Sequence, residues 1–189
     1  MSALKEEDIL RLVREDDWMT GILRTVQTLN LPDWWVCAGF VRAKIWDTRH
    51  GYGERTALPD VDVIYFDPGD DSEGREKELE DLLTGLHSGV PWSVKNQVRM
   101  HHINHNPPHA SARDAMSKFP ETATALGLTL SDENGLVLYA PWGVEDAVNG
   151  VIRPTPFFRE DPDRLRIYRN RLLKKNWKRH WERLTILDG

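Results

Sequence analysis

The sequence predicts an α+β fold, in which a small mixed sheet is flanked by helices and carries helical additions at both ends. Two short apolar runs, residues 34–38 and 61–66, have the length and composition of buried strands, and an alternating segment at 92–100 predicts a third. Apolar residues recur at helical spacing over residues 4–29 and again over 161–184. Strands placed between two helical ends are typical of an α+β protein.

Local signals predict the ends of several elements. Asp16 or Asp17 is a candidate cap for a second N-terminal helix, and Ser111 is a candidate cap for a short helix that follows it. Residues 120–126 predict a further helical turn. Asn134-Gly135, which lies between two apolar runs, predicts a β-hairpin because these residues readily adopt the positive φ of a tight turn.

The composition of the 189 residues suits a soluble protein with a substantial core, because 40% of them are hydrophobic and 29% are charged. We divide the chain into a core over residues 1–106 and a C-terminal lobe over 107–189, which carries the hairpin and a long basic helix; one compact domain is the alternative. The net charge of −5 excludes a chain that binds polyanions with its whole surface. No apolar run reaches the length of a membrane span.

The cysteine content and the first residues indicate the compartment. Cys37 is the single cysteine, so an internal disulfide is excluded and a reducing environment is favoured. Three of the first ten residues, Glu6, Glu7 and Asp8, are acidic, where a signal peptide would carry an apolar segment. We therefore expect a cytoplasmic protein with no membrane partner, and we expect Cys37 to be a buried structural thiol.

Two carboxylates mark the second strand as a candidate metal site. Asp60 and Asp62 are two residues apart, and side chains at that spacing in a strand project from the same face. Two neighbouring carboxylates repel each other unless a cation lies between them. A hard divalent cation such as Mg²⁺, or Mn²⁺ in its place, prefers oxygen ligands. Asp60 and Asp62 are therefore both the candidate metal ligands and the candidate catalytic residues.

A glycine turn before the first central helix predicts a phosphate site. Gly39 and Phe40 open this helix, whose first N–H groups and positive dipole end favour an anion. Gly39 also lets the backbone approach a ligand closely. Arg42 and Lys44 lie where the dipole disfavours a cation, and a bound phosphate would reverse that preference. Ordinary solvated charges are the alternative, and Arg42 is the better candidate because guanidinium groups bind phosphate through two parallel hydrogen bonds.

The segments AGFVR and DVDVIYFD together resemble the nucleotidyltransferase superfamily with the DNA polymerase beta type of fold, whose signature is a small-residue turn followed by an acid-x-acid pair. Over residues 15–187 the chain resembles more narrowly a bacterial nucleotidyltransferase-like family, through these two segments and four others: VKNQVRMHH, FPETATALG, YAPWGVED and KKNWKRHW. The resemblance implies a polymerase-beta-like fold and the transfer of a nucleoside monophosphate from a nucleoside triphosphate to an acceptor. It does not identify the acceptor.

One departure from the superfamily pattern affects the expected chemistry. The superfamily commonly places a third carboxylate on a strand beside the acid pair, yet no Asp or Glu occurs between Asp81 and Asp114. Three alternatives follow: a site for one metal ion, an acid recruited from Glu145 or Asp146, or an inactive site. The last alternative makes the protein a nucleotide-binding sensor or an interaction module.

The third strand and its continuation supply further candidates. Lys95, Asn96 or Gln97 is expected in the place of the missing acid, and Arg99 is a candidate substrate residue. The histidines that follow, in the segment HHINHNPPH, favour a polar loop that faces substrate over a zinc site, because their spacing matches no common zinc pattern.

The C-terminal helix predicted over residues 161–184 interleaves basic residues with tryptophan, which is compatible with an RNA-binding face. The favoured alternative is a helix that docks through its apolar stripe and offsets the acidic remainder of the chain.

Overall fold

The computed structural model describes residues 4–189 and confirms an α+β fold with a small mixed sheet flanked by helices. The helices of the described part are α1 (Glu6–Arg14), α2 (Asp17–Gln27), α3 (Gly39–His50), α4 (Glu73–Leu86), α5 (Gln97–Asn104), α6 (Ala112–Ser117), α7 (Glu145–Asn149), α8 (Pro156–Arg159) and α9 (Pro162–Lys175). The strands are β1 (Trp35–Cys37), β2 (Val61–Tyr65), β3 (Trp92–Asn96), β4 (Gly127–Leu130), β5 (Leu136–Tyr139), β6 (Val151–Ile152) and β7 (Thr185–Ile186).

The main sheet has the strand order β3-β2-β1-β4-β5. β1 is antiparallel to both β2 and β4, and β4 and β5 form the predicted hairpin. β2 and β3 are parallel, so the chain must cross over between them, and α4 makes that crossover. The main sheet takes strands from both sides of residue 106, and the division of the chain at that residue stays a prediction.

The two faces of the main sheet bury different clusters, as the period of two in a strand requires. The larger cluster contains Val36 and Val63 and extends to the helices around it. The smaller cluster lies on the opposite face, where Trp35, Cys37 and Ile64 pack against α6. Asp62 belongs to the same alternating set as Ile64, so its carboxylate leaves the sheet on the side of the smaller cluster.

Two of the predicted helix caps are present. The side chain of Asp16 accepts a hydrogen bond from the backbone N–H of Met19 at 3.0 Å, and Ser111 does the same for Asp114 at 3.0 Å. Each cap satisfies an N–H group that the first helical turn leaves without an intrahelical acceptor. No helix within residues 4–189 is both long and apolar enough to cross a membrane.

The predicted third strand is too long. β3 ends at Asn96, and α5 begins at Gln97, so the expectation of a strand through residue 100 is wrong. The reason is local, because the Asn96 side chain accepts a hydrogen bond from the N–H of Val98 at 3.2 Å and thereby caps a new helix.

The predicted C-terminal helix is also too long. α9 ends at Lys175, and Asn176 adopts the left-handed conformation with φ 43° and ψ 46°. Asn tolerates this region better than most residues do, so it stops the helix. Trp177 and Trp181 then turn back into the core, where both rings pack edge-on against Trp46.

The segment 120–126 forms the predicted turn but no regular helix, because the N–H groups of Thr124 and Ala125 both donate to the carbonyl of Glu121 at 3.0 Å. Glu121 makes an isolated bridge to Pro154, and Thr122 donates its N–H to the carbonyl of Arg153 at 3.1 Å. These contacts hold the turn against a distant segment. Residues 1–3, which belong to the predicted N-terminal core, lie outside the described residues.

Candidate active site

Asp60 and Asp62 lie in the wall of a cavity of about 560 Å³. The start of α3 forms a second wall, the loop before β2 a third, and the chain from the end of α9 onward closes the fourth side. The lining residues are Ala38, Gly39, Arg42, Thr56, Ala57, Leu58, Pro59, Asp60, Asp62, Arg171, Lys175, Trp177, His180 and Trp181. We call this the Asp60/Asp62 cavity.

The acid pair has cations near it but no direct ionic partner among the described residues. Burial, with a further contribution from the charge of Asp60, raises the pKa of Asp62 to about 6. Arg42, Lys175 and Arg171 act in the opposite direction from a distance. Within residues 4–189, no side chain forms a hydrogen bond or an ion pair with either carboxylate.

These features fit a divalent cation. Two carboxylates that face one cavity and lack a partner among the described residues present the hard oxygen ligands that Mg²⁺ and Mn²⁺ prefer. Nowhere in the described chain do three or more His, Cys, Asp or Glu side chains gather in a way that could hold a metal ion. The pair would therefore supply two ligands, and the oxygens of substrate or water would complete the shell.

The turn before α3 is strained at Ala38. Ala38 has φ 56° and ψ −120°, a combination that glycine adopts far more readily than alanine does. Gly39 itself has no positive φ, and a Cβ added to it would meet its nearest neighbour, Nη2 of Arg42, at an ordinary contact distance of 3.5 Å. The left-handed position of the turn therefore belongs to Ala38.

Gly39 and Phe40 contribute in different ways to the wall that α3 forms in the Asp60/Asp62 cavity. Gly39 lines the Asp60/Asp62 cavity as the first residue of α3. The Phe40 side chain is 1% exposed and packs against Trp18, with ring centroids 5.8 Å apart. Phe40 can therefore offer a ligand its backbone N–H, which precedes the first intrahelical hydrogen bonds, but not its ring.

Arg42 is held rigidly in the cavity wall. Its Nη1 donates to Oγ1 of Thr124 at 2.8 Å, and its guanidinium lies 5.1 Å from the ring centroid of Trp46 and 4.4 Å from that of Trp177. Burial lowers the pKa of Arg42 to about 10, while the charge of Glu121 opposes this shift. The side chain is therefore still cationic at neutral pH.

The C-terminal wall contains five residues that sequence reasoning did not assign to the site: Arg171, Lys175, Trp177, His180 and Trp181. The helix predicted through residue 184 was expected to dock through its apolar stripe, and none of its residues was named as a site residue. The signal that was available is Asn176, because Asn is a common left-handed stop and the residues after it include two tryptophans.

The comparisons with known proteins agree with this geometry. A family model described as "Nucleotidyltransferase" matches residues 24–186. The chain belongs to this nucleotidyltransferase family. An NMR structure described as a CCA-adding enzyme head domain is similar to this nucleotidyltransferase over 98% of its chain and 97% of that one, with 40% identity and a TM-score of 0.89. No curated protein matches the chain.

Two larger solved structures share the fold. A CCA-adding enzyme in complex with CTP is 17% identical over 94% of the chain, with a TM-score of 0.57. The Thermotoga maritima CCA-adding enzyme in complex with tRNA_CCA is 18% identical over 99% of the chain, with a TM-score of 0.53. The nucleotidyltransferase spans 42% of the first and 43% of the second, so these matches show the fold alone.

Four residues were predicted near the position of the absent third carboxylate, and three of them, Lys95, Asn96 and Arg99, stabilise the nucleotidyltransferase fold. Glu76 of α4 is fully buried and bonds Nη2 of Arg99 at 2.8 Å and Nζ of Lys95 at 3.3 Å. The Asn96 side chain donates to the carbonyl oxygens of Asp67 and Asp70, each at 2.8 Å. These bonds fix α4 and the loop before it against β3.

The positions that flank Asp62 in the sheet carry no carboxylate. Its register partners are Ser93 on β3 and Cys37 on β1, whereas Lys95 pairs with Ile64, two residue pairs further along. The alternative donor Asp146 is engaged elsewhere, because its Oδ2 forms an ion pair with Nε of Arg153 at 2.7 Å and accepts a hydrogen bond from Oγ1 of Thr122 at 2.6 Å. Neither Asp146 nor its neighbour Glu145 lines the Asp60/Asp62 cavity.

Lys44 lies away from the acid pair of the nucleotidyltransferase. Its Nζ bonds Oδ2 of Asp16 at 2.8 Å, and Arg55 bonds the same carboxylate at 2.8 Å. Lys44 lines a separate small depression with these two residues. We therefore leave Lys44 out of the nucleotide site proposed below.

The histidine segment and Gln97 face a second cavity. His105, His109 and Gln97 line this space, while the rings of His101 and His102 stack with centroids 3.8 Å apart. The segment forms no metal-binding cluster with other described residues. Gln97 is thus the one member of the four third-strand candidates that reaches either cavity.

Proposed function

We propose that the protein transfers a nucleoside monophosphate from a nucleoside triphosphate to an acceptor, with Mg²⁺ or Mn²⁺ bound by Asp60 and Asp62. The observation that carries this proposal is the acid pair without a protein partner in the described chain, in a cavity whose other walls carry the start of α3 and several cations. Membership of the nucleotidyltransferase family supports the reaction class. A cytoplasmic location is part of the proposal.

Different groups of the protein would bind different parts of the metal–triphosphate complex. Asp60 and Asp62 hold the metal, which supplies positive charge to the phosphates when it is bound. The backbone N–H groups of Gly39 and Phe40 donate hydrogen bonds to phosphate oxygens at the start of α3. Arg42 is fixed by Thr124 and two tryptophan rings, so it can meet the phosphates with little loss of side-chain entropy.

The opposite wall would close over the same phosphates. Arg171 and Lys175 line the cavity from α9, and together with Arg42 they place three cations against two carboxylates. Preorganised cations at the point where charge develops are the main means by which phosphoryl transfer is accelerated. Thr56 and Pro59 lie in the adjoining loop, which we propose folds over the nucleotide.

The second candidate function is a nucleotide-binding sensor or interaction module that does not catalyse transfer. The observation that favours it is the absence of a carboxylate at the register partners of Asp62, which are Ser93 and Cys37. Such a protein would bind a nucleoside triphosphate and release no pyrophosphate.

Pyrophosphate release separates the two functions. Purified protein is incubated with Mg²⁺, each of the four ribonucleoside triphosphates and candidate acceptors, and pyrophosphate is measured by a coupled assay. We expect release with at least one pair and none with Asp60→Asn or Asp62→Asn. Asp132→Asn is the matched control, because Asp132 is exposed in the β4–β5 turn. Nucleotide binding without pyrophosphate from any pair would favour the sensor.

A further inference from the structure

The second cavity adjoins the Asp60/Asp62 cavity and has a volume of about 630 Å³. It lies between α9 on one side and the segment from α5 to α6 on the other. Arg171 and Lys175 line both cavities, so these two side chains form the boundary between them. We call this space the α5–α9 cavity.

The lysine and arginine side chains make the lining of the α5–α9 cavity positively charged. Its cationic lining residues are Lys118, Arg164, Arg171, Lys174 and Lys175, and no Asp or Glu of the described chain lines it. The protein as a whole carries a net charge of −5, so the positive charge of this cavity is opposite in sign to the net charge of the protein. A cavity of this kind raises the local concentration of an anionic ligand.

Two of these cations have no acidic partner in the described chain. Lys118 pairs with Asp114 at 2.9 Å, and Arg171 with Glu121 at 2.7 Å. Lys174 and Lys175 form no ion pair with any residue in 4–189. Their charge is therefore available to a phosphate group.

The remaining polar groups are neutral and suit hydroxyl groups. Four carboxamide side chains line the cavity: Gln97, Asn104, Asn106 and Asn170. The His109 side chain also lines it, and its buried Nδ1 has no hydrogen-bond partner in the described chain. Burial, with a smaller effect from Lys118, lowers the pKa of His109, so the ring is neutral at pH 7 and offers both a donor and an acceptor.

The size of the cavity limits the ligand. A volume of about 630 Å³ is in the ordinary range for small-molecule sites. Ile103 and Ile167 line the cavity and are each 53% exposed, so part of its wall is apolar. A ligand with one phosphate and a hydroxylated ring matches the cations, the carboxamides and the apolar wall together.

We propose that the α5–α9 cavity binds the acceptor, and that the acceptor is a small phosphate ester with a hydroxylated sugar ring. This inference rests on the proposed function. A hydroxyl group of the acceptor reaches past Arg171 and Lys175 to the nucleotide in the Asp60/Asp62 cavity. The acceptor oxygen forms a bond to the α-phosphorus, the bond to the bridging oxygen breaks, and pyrophosphate leaves with that electron pair. The proton of the hydroxyl group passes to solvent.

The test measures binding of ribose 5-phosphate by calorimetry, with ribose as the uncharged comparison. We expect ribose 5-phosphate to bind and ribose to bind at least about tenfold more weakly, because the phosphate contacts Lys174. Lys174→Glu should weaken the binding of ribose 5-phosphate by about tenfold or more. Lys178→Glu is the matched control, because Lys178 is also exposed and lines neither cavity.

The same variants separate this inference from the proposed function. Mg²⁺-dependent binding of nucleoside triphosphate should stay within about twofold in Lys174→Glu, because Lys174 does not line the Asp60/Asp62 cavity. Equal binding of ribose and ribose 5-phosphate, or an unchanged affinity in Lys174→Glu, would overturn the acceptor site alone. Competition between ribose 5-phosphate and nucleotide would also overturn it, as would binding of a short single-stranded RNA but not of ribose 5-phosphate. If the unmodified protein does not bind nucleoside triphosphate, that result would instead overturn the proposed function.

Discussion

Nε of Arg171 donates a hydrogen bond to Oε1 of Glu121 over 2.7 Å, and Glu121 is fully buried. This pair joins α9 to the irregular segment before β4 and holds Arg171 at the boundary of the two cavities. Glu121 lines neither cavity, so it acts on the site through Arg171.

Glu121→Gln should therefore weaken both stability and binding. Removing the charge from Glu121 leaves Arg171, which is 30% exposed, without its counter-ion, and we expect a cost of about 1–3 kcal/mol. We expect a lower denaturant midpoint and weaker binding of nucleoside triphosphate to the folded variant. Glu133→Gln, in the exposed turn between β4 and β5, is the control and should change neither quantity. Unchanged nucleotide affinity in a folded Glu121→Gln protein would contradict a positioning role.

Asp62→Asn should stabilise the metal-free protein at neutral pH. The pKa of Asp62 is about 6 in the folded protein, so between pH 4 and 6 the folded state keeps a proton that an unfolded aspartate, with a pKa of about 3.9, has lost. Stability therefore falls as pH rises through this window. We expect the variant to be about 2 kcal/mol more stable at pH 7, as measured by urea unfolding without metal, and the difference to disappear below pH 4.

Bound Mg²⁺ should make the wild type more stable than Asp62→Asn. Mg²⁺ stabilises the folded state in proportion to its binding, so it should raise the unfolding temperature of the wild type and not that of Asp62→Asn. The effect should weaken as pH falls below 6, where protons compete for Asp62. An equal shift in both proteins would show that the metal binds elsewhere.

Asp47 joins two walls of the Asp60/Asp62 cavity. Its Oδ1 accepts hydrogen bonds from Nε1 of Trp181 at 2.7 Å and Oγ1 of Thr56 at 2.6 Å, and its Oδ2 accepts the Thr56 N–H at 2.9 Å. Asp47→Ala leaves the buried indole N–H of Trp181 without an acceptor, which we expect to destabilise the protein by about 2–4 kcal/mol. Thermal unfolding measures this loss, and Asp132→Ala provides the exposed control. A loss below about 0.5 kcal/mol would contradict the structural role of Asp47.

Ala38→Gly should stabilise the protein although it removes a methyl group. Ala38 holds φ at 56° and ψ at −120°, and strain of this kind in a non-glycine residue is about 1–3 kcal/mol. The greater flexibility of glycine in the unfolded chain offsets about 0.5–1 kcal/mol of that gain. We expect a net stabilisation of about 1 kcal/mol in urea unfolding. Ala43→Gly, within α3, is the matched comparison and should destabilise, so a loss of stability in both variants would refute the strain at Ala38.

Local rules were sufficient to predict the centre of the molecule. Alternation along a strand places Asp60 and Asp62 on one side, and the structure brings both to one cavity with Gly39. Capping chemistry located the helices after Asp16 and Ser111 because each cap depends on residues within one turn. The Asn-Gly hairpin followed from turn geometry in the same way.

The remaining parts depend on contacts between residues far apart in the chain. Lys44 turns to Asp16, which is 28 residues earlier, and no local signal identifies that partner. Trp177 and Trp181 line the same cavity as the acid pair because the chain stops α9 at Asn176 and returns to Trp46. Tertiary packing therefore decided which cations face the site.

The central claim is that Asp60 and Asp62 bind a divalent cation that in turn binds the triphosphate. The most direct test is calorimetric titration of nucleoside triphosphate at increasing Mg²⁺ concentration, for the wild type and for the double variant Asp60→Asn, Asp62→Asn. We predict that the affinity of the wild type rises with Mg²⁺, and that the folded double variant shows no Mg²⁺-dependent gain. An equal gain in both proteins would contradict the claim.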